Sequence, residues 1–249
     1  AVCLLLNGVD AFTTTGAGLP LAVVLTLSGS GTEVTPYSIL TAGTTKKSIV
    51  GRLFPTVSVI DRSFQTDVPL SYHRSLLSDV FCHCVEAAFA VKASDETERM
   101  AAEALRRLFA QRGQERYDLV APSVYAGAAI TTAGTSVPHG LGYYMTVHYD
   151  VPHGLACGMF VRAYLQLVFS TSALESRVTR FLGLVGVSAA DMLAFVDVFL
   201  EGMAPIPVPA DELKVMVTQF FDTGKDRQHP VPLSHDEVLR LLQSSFQSN

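Results

Sequence analysis

The chain of 249 residues is 49% hydrophobic and 16% charged, which supplies enough apolar material for a large core. Its formal net charge is −5 and its Lys and Arg residues form no run, so nothing in the composition favours nucleic acid or an anionic membrane surface. We therefore expect a globular protein that binds neither nucleic acid nor a membrane.

The chain also lacks signals for export. No apolar run is long enough to span a bilayer, and the sequence does not open with the pattern of a secretory signal. The four cysteines, Cys3, Cys82, Cys84 and Cys157, have neither the spacing of a disulfide framework nor a CxxC pair. These observations predict a soluble, cytoplasmic protein with reduced thiols.

The first 70 residues have the composition of strands and turns. Residues 19–25 and 56–61 are short runs rich in β-branched residues and bounded by Gly or Pro, which predicts two buried strands. Between them lie a Gly/Ser/Thr-rich stretch at residues 28–32 and a hairpin turn at Gly43.

From Tyr72 onward the apolar residues recur with helical spacing. Ser94 and Ser234 each precede acidic residues in the pattern of a helix N-cap. The second part of the chain is therefore predicted to be all-helical. The predicted helices cover residues 72–92, 95–111, 117–132, 155–169, 174–184, 189–203, 209–221 and 234–246.

Four polar residues form a candidate metal site. Asp79 and His83 are four residues apart in a predicted helix and so project from one face. His139 and His153 both stand in Pro-His-Gly units, where the backbone can approach closely, so the chain between them can fold back and bring both imidazoles together. One carboxylate and three imidazoles suit a mononuclear Fe²⁺ or Zn²⁺ site with an open position. Taken singly, each feature also fits a structural pair or a helix end.

Four segments in collinear order resemble the iron-containing (group III) alcohol dehydrogenases. They are TLSGSGTEVTPYSIL (26–40), LFPTVSVIDRSF (53–64), SDVFCHCVEA (78–87) and VPHGLGYYMTVHYDVPHGLACG (137–158). The resemblance implies that Asp79, His83, His139 and His153 are ligands of one divalent metal. It also implies a mainly α protein, in which residues 1–70 are the remnant of an α/β dinucleotide-binding domain and residues 71–249 form an all-helical metal-binding catalytic domain.

The sequence departs from this family in the cofactor region. The family's diphosphate loop, of GGGS type, has no counterpart in these 249 residues, so NAD(P)H binding is expected only if that part of the fold is supplied. Alone, the chain should bind NAD(H) or NADP(H) no tighter than about millimolar. Lys47, or its neighbour Lys46, is expected at a ribose or phosphate. The other positions that the resemblance assigns to the dinucleotide are Thr26, Leu27, Ser28 and Ser30.

A second departure lies four residues after His139, where many family members carry another His and this chain has Tyr143. A tyrosine there can donate a hydrogen bond to a substrate oxygen but does not titrate near neutrality. His148, in the same segment, is a candidate to face the cleft, and its alternative role is that of a partly exposed structural histidine. The pattern is similar to that of the branch acting on phosphonoacetaldehyde-like substrates.

The sequence is consistent with three functions. The first is a metal-dependent alcohol dehydrogenase or aldehyde reductase that transfers hydride between NAD(P)(H) and a small alcohol or aldehyde. The second is a non-redox lyase, isomerase or hydrolase that uses the same Asp/His₃ site without nicotinamide. The third is a degenerate, non-catalytic homologue. Assembly as a homodimer through the first-domain strands is an expectation from the family.

Overall fold

The computed structural model describes residues 20–43, 45–50, 54–65 and 67–247. Within these ranges, short strands precede a packed set of helices. The strands are β1 (Ala22–Leu25), β2 (Tyr37–Ala42), β3 (Thr45–Val50) and β4 (Val57–Ile60). The helices are α1 (Leu70–Ala88), α2 (Asp95–Phe109), α3 (Val120–Ala133), α4 (Val137–His148), α5 (His153–Ser170), α6 (Glu175–Val185), α7 (Ala189–Leu200), α8 (Ala210–Asp222) and α9 (His235–Gln247).

The predicted fold class, mainly α with strands at the start, is confirmed. Strand β1 pairs in parallel with β4, from Ala22 opposite Val57 to Leu25 opposite Ile60. Strands β2 and β3 form the predicted hairpin, with Gly43 at φ 64° in its turn. The division into domains at residue 70 stays a prediction, and Cys3 and the start of the first predicted strand lie outside the described residues.

Helix α1 lies at the centre of the helical part. Every residue from 77 to 90 is buried, and α2, α3, α5 and α7 all pack against this helix. Phe81 of α1 stacks on Phe195 of α7 with ring centroids 5.4 Å apart. Because α1 is enclosed on all sides, any polar side chain on its buried part needs a partner to offset the cost of leaving water.

The prediction for residues 137–153 was incomplete, because α4 was not among the predicted helices. Gly140 and Gly142 each disfavour a helix by about 1 kcal/mol relative to alanine, whereas Pro138 lies in the first turn, where proline is tolerated. The chain reverses at residues 149–152, with Asp150 at φ 53°, and α5 then packs against α4. The expected fold-back therefore occurs between two helices.

The two predicted caps are confirmed. The Ser94 side chain accepts a hydrogen bond from the backbone N–H of Thr97 at 3.2 Å. At the start of α9, the Glu237 carboxylate accepts from the backbone N–H of Ser234 at 2.8 Å, and the Ser234 hydroxyl accepts from the backbone N–H of Glu237 at 3.2 Å. Both helices thus begin where their side chains satisfy free N–H groups.

In the described ranges, no single helix combines the length and apolar composition needed to cross a membrane. Two consecutive segments, His153–Ser170 and Ser172–Val185, reach that length and composition only when they are counted together. They are bent by 84° where they meet.

Candidate metal centre

Three histidines converge on one carboxylate oxygen in the helical core. Oδ1 of Asp79 lies 3.5 Å from Nε2 of His83, 3.4 Å from Nε2 of His139 and 4.0 Å from Nε2 of His153. Asp79, His83 and His139 are buried, and the His153 side chain is 34% exposed. The four residues that the sequence predicted as ligands therefore lie together, with one edge open to solvent at His153.

Three helices bring these side chains together. Asp79 and His83 lie one turn apart on α1, His139 lies in the first turn of α4, and His153 is the first residue of α5. The rings of His83 and His139 are stacked, with centroids 4.8 Å apart, and the ring of His153 meets that of His139 edge-on at 5.3 Å.

Gly154 allows α5 to approach α1 closely. A Cβ atom at this position would overlap the backbone oxygen of Ser75. The Gly154 N–H donates to the Ser75 hydroxyl at 3.1 Å, and the Ser78 hydroxyl donates to the Gly154 carbonyl at 2.7 Å. These bonds fix the start of α5, and with it the position of His153, against the helix that carries Asp79.

Glu86 is a functional residue that the sequence reasoning missed. Its carboxylate is fully buried and accepts hydrogen bonds from the backbone N–H of Ser136 at 2.7 Å and of His139 at 3.3 Å. It also bonds to Nδ1 of the His139 ring. A signal was present, because Glu86 follows Asp79 by seven residues and His83 by three, which places all three on one helical face.

Cys157 is a second residue that the sequence reasoning missed. It lies one turn after His153 on α5, is fully buried, and its Sγ is 3.9 Å from Nδ1 and 4.0 Å from Nε2 of that histidine. One donor atom each from Asp79, His139, His153 and Cys157 lies within 4.8 Å of all the others. Its signal was the His-x₃-Cys spacing, which puts both side chains on one face.

Burial and mutual charge shift the acidities in this cluster. Burial raises the pKa of Asp79, but the neighbouring His83, His139 and His153 outweigh it and hold the pKa well below its usual value. Burial lowers the pKa of His83 to about 4. Burial opposes ionisation of Cys157, yet His139 and His153 lower its pKa below the ordinary value. Burial lowers the pKa values of His139 and His153, but Cys157 and the nearby carboxylates outweigh it and raise both above the ordinary value. The cluster therefore favours an ionised Asp79 and a neutral His83, the forms that bind metals, whereas His139 and His153 release a proton when a metal binds.

The unpartnered atoms of the cluster fit a metal ion. Oδ1 of Asp79 and Nε2 of His139, two of the proposed ligand atoms, are buried without a hydrogen-bond partner in the described residues. Leaving such atoms unpaired is costly. Separations of 3.4–4.0 Å between the carboxylate oxygen and the three Nε2 atoms are close to the spacing of about 3.3–3.7 Å between ligand atoms on one tetrahedral ion.

Tyr143 lies beside the cluster and His148 does not. Tyr143 is one turn after His139, is 6% exposed, and its ring is 6.0 Å from that of His153. His148 is exposed at the end of α4 and stacks on Tyr144 at 4.2 Å. The prediction that His148 faces the cleft was therefore wrong, because nine residues along a helix turn a side chain about 180° away from His139.

Two lysines approach the cluster from outside the ligand set. Burial lowers the pKa of Lys46 on β3, whereas Cys157 and Asp79 act to raise it. The Lys46 ammonium therefore interacts electrostatically with the metal cluster. Lys47, the predicted cofactor residue, is exposed on the opposite side of the strand. Nζ of Lys225 lies 5.9 Å from the centre of the Tyr143 ring.

The predicted cofactor turn packs onto α3. Ser28 is buried with an unpartnered hydroxyl, Leu27 is half-buried, Thr26 is exposed, and the exposed Ser30 bonds to Thr32 at 3.2 Å. Leu27 and Ser28 line a cavity of about 250 Å³ together with His73 and Tyr117, among other residues. The turn thus offers a concave, partly polar surface, but the structure does not place it in contact with the metal cluster.

The hydrogen bonds that hold this turn against α3 were also not predicted from the sequence. The Gly29 N–H donates to the Ser123 hydroxyl at 3.0 Å, and that hydroxyl donates to the buried Glu33 carboxylate at 3.1 Å. Burial raises the pKa of Glu33. Glu33 and Ser123 therefore hold the turn against α3 from the inside.

A larger cleft, of about 1060 Å³, lies at the N-terminal end of α1. Its walls include the ion pairs Arg74–Glu201 and Arg162–Asp197, and none of the clustered metal-site residues lines it. Because the metal cluster lies elsewhere, the larger volume of this cleft is not by itself evidence for a reaction site.

Residues 77–246 match the model of the Fe-containing alcohol dehydrogenase family, C-terminal. The chain belongs to this family. It is 32% identical over 147 residues to long-chain-alcohol dehydrogenase 1 of Geobacillus thermodenitrificans, an alignment that covers 55% of this chain and 37% of that protein. It is 28% identical over 149 residues to 1,3-propanediol dehydrogenase of Klebsiella pneumoniae, covering 55% and 38%. The match thus spans less than half of either family member.

Solved structures of the family share the fold. A crystal structure of an iron-containing alcohol dehydrogenase superposes with a TM-score of 0.86 at 22% identity, covering 100% of this chain and 71% of that one. Sulfoacetaldehyde reductase from Bifidobacterium kashiwanohense, solved in complex with NAD⁺, gives 0.82 at 23% identity, covering 96% and 69%.

Proposed function

We propose that the protein is a metal-dependent alcohol dehydrogenase or aldehyde reductase that uses NAD(P)(H). The observation that carries the proposal is the convergence of three histidine Nε2 atoms on Oδ1 of Asp79, at 3.4–4.0 Å, in a buried cluster open to solvent at one edge. Membership in the iron-containing alcohol dehydrogenase family supports it.

The metal would be held by Asp79, His83, His139 and His153, and both Fe²⁺ and Zn²⁺ suit these donors. When bound, a divalent ion supplies the Lewis acidity that hydride exchange between nicotinamide and a carbonyl carbon requires. Glu86 accepts a hydrogen bond from Nδ1–H of His139, which fixes the tautomer and leaves Nε2 free to bind the metal. His139 is therefore oriented by the fold before a metal binds.

Tyr143 would orient the substrate. It lies at the exposed side of the cluster, next to the partly open His153, and its hydroxyl can donate a hydrogen bond to a substrate oxygen without changing its own charge. Lys46 and Lys225 add positive charge on this side. That charge favours a small aldehyde carrying an acidic group, such as a phosphonoacetaldehyde-like substrate.

Thr26, Leu27, Ser28 and Ser30 would hold the dinucleotide, which would supply the hydride. The unpartnered Ser28 hydroxyl beside a cavity of about 250 Å³ supports this placement. Because these residues offer only a few hydrogen bonds, each worth about 0.5–1.5 kcal/mol net, cofactor affinity of the 249 residues should be no better than about millimolar.

The test is an assay of the metal-loaded protein over a series of NAD(P)H concentrations that extends above the expected Kd of about 1 mM, with small aldehydes that carry or lack an acidic group. Wild type and His148→Ala should both bind about one metal ion per chain and oxidise NAD(P)H, whereas His153→Ala should lose metal and activity. Full metal loading with no oxidation of nicotinamide at any of these cofactor concentrations would refute the redox proposal and favour a non-redox metalloenzyme. Equal metal content in wild type and His153→Ala would refute the site.

A further inference from the structure

Cys157 gives the metal cluster a sulfur donor. Its Sγ is about 4 Å from both ring nitrogens of His153, and it belongs to the compact group of donor atoms formed with Asp79 and His139. That group contains one oxygen, two nitrogens and one sulfur. Asp79, His139 and His153 therefore belong both to this group and to the predicted ligand set, to which Cys157 adds a further donor.

The distances are compatible with a role for the thiol. Two ligand atoms on one tetrahedral zinc ion are about 3.3–3.7 Å apart, given bond lengths of about 2.0–2.3 Å. The separation of 4.0 Å between Sγ of Cys157 and Nε2 of His153 needs only a small adjustment of either side chain to reach this range. Oδ1 of Asp79 and Nε2 of His153, which belong to two predicted ligands, are also 4.0 Å apart.

The fold makes room for this thiol. A Cβ atom on Gly142 of α4 would lie 2.9 Å from both Sγ and the backbone nitrogen of Cys157. Any larger residue at Gly142 would thus displace the thiol from its place beside the imidazoles. Cys84 provides a contrast, because it is also fully buried yet belongs to no such group of donor atoms in the described chain.

We propose that Cys157 is a thiolate ligand of the metal and that it makes the site prefer Zn²⁺ to Fe²⁺. The proposal rests on the metal site proposed above. Thiolates are soft donors and favour zinc over harder, oxygen-seeking ions. As the metal–sulfur bond forms, the Sγ–H bond breaks and its proton passes to solvent, so no oxidant or reductant is required.

The test uses Co²⁺ as a spectroscopic probe in the purified 249-residue protein. Co²⁺ bound by a thiolate shows a sulfur-to-cobalt charge-transfer band in the near ultraviolet, separate from the visible bands that report binding itself. Wild type and Cys84→Ala should show both sets of bands, and Cys157→Ala should keep the visible bands but lose the charge-transfer band. X-ray absorption of the zinc-loaded wild type should show sulfur among the atoms bound to zinc, which needs no variant to fold.

Competition between Zn²⁺ and Fe²⁺ under anaerobic conditions gives a second measurement. Zinc affinity should fall in Cys157→Ala by more than the roughly 10-fold that loss of an outer-shell partner costs a metal site. The preference for zinc over iron should fall with it, and both should be unchanged in Cys84→Ala. Co²⁺ binding without the charge-transfer band in wild type, or with the band retained in Cys157→Ala, would overturn the assignment of Cys157 while leaving the metal site intact. No Co²⁺ binding at all would overturn both proposals.

Discussion

The carboxylate of Glu86 on α1 bonds to Nδ1 of His139 on α4, so one buried acid orients one imidazole of the metal cluster. The same carboxylate accepts the backbone N–H groups of Ser136 and His139 and so holds the start of α4 as well. Glu86 is thus a positioning residue that ties the geometry of the site to the packing of two helices.

Replacing Glu86 by Gln should weaken metal binding by about 10- to 100-fold, the usual effect of removing a partner behind a histidine ligand. The neutral amide keeps the shape of the side chain but loses the charge that fixes the His139 tautomer. The measurement is a chelator competition for Zn²⁺ with the folded protein.

Glu98→Gln is the matched control for Glu86→Gln. Glu98 is equally buried, but its carboxylate bonds to Arg177 at 3.1 Å and Arg180 at 2.6 Å, away from the metal cluster. This variant should lose stability and keep the metal affinity of wild type. If Glu86→Gln also kept wild-type affinity, the positioning role would be wrong.

Much of the cluster was predictable because its residues follow local rules. Asp79 and His83 share a helical face whatever the rest of the fold does, and Glu86 obeys the same spacing. Helix α4 was harder to predict, because Gly140 and Gly142 lower helix propensity while serving contacts with other helices. Gly142 faces Cys157, and only the packed structure shows that pairing.

His148 shows that closeness along the chain does not imply closeness in the structure. Its proximity to His139 in the chain suggested a shared cleft, but that inference required the intervening residues to be extended or looped. Once α4 is a helix, His148 lies about 13 Å further along the axis and on the opposite face. Its ring stacks on Tyr144 instead.

A side chain added at Gly31 would cause both backbone strain and a steric clash, whereas one added at Gly43 would, in the part of the chain that the structure describes, cause only backbone strain. Both have positive φ, 67° and 64°, which costs a non-glycine residue about 1–2 kcal/mol. A Cβ on Gly31 would lie 2.6 Å from Cα of Gly127 on α3, whereas in the described chain a Cβ on Gly43 meets no atom within 4 Å.

Gly31→Ala should therefore lower the free energy of unfolding by about 1–3 kcal/mol more than Gly43→Ala does, because the turn must move away from α3. Urea denaturation of the two variants beside wild type measures this difference. Equal losses would mean that the turn adjusts freely and is not fixed against α3.

His73 should make stability depend on pH. It is buried, and its Nε2 accepts a hydrogen bond from the backbone N–H of Tyr117 at 2.9 Å, which requires a neutral ring. Burial, together with Arg116, lowers the pKa of His73 below its ordinary value of 6.5. Between that value and the lower folded pKa, the unfolded chain binds more protons than the folded one, so stability falls as pH decreases below about 6.5.

His73→Gln, which keeps an acceptor but does not titrate, should reduce this dependence. The measurement is the urea midpoint of wild type and variant at several pH values from 7.5 down to the onset of acid unfolding. As pH decreases below about 6.5, the urea midpoint of wild type should fall relative to that of His73→Gln. His83 and His229 also have lowered pKa values, but they are present in both proteins and so do not contribute to this difference. A difference that stays constant across the series would contradict the assignment.

Tyr143→Phe separates orientation of the substrate from binding of the metal. Tyr143 lies beside His153 but is not one of the proposed ligands, so removal of its hydroxyl should leave metal content unchanged. One lost neutral hydrogen bond to the substrate should lower kcat of the aldehyde reduction by roughly 2- to 10-fold. Tyr144→Phe is the control, because the Tyr144 hydroxyl donates to Glu212 at 2.7 Å and so should affect stability but not turnover. Loss of metal from Tyr143→Phe, or equal turnover in all three proteins, would show that Tyr143 has another role.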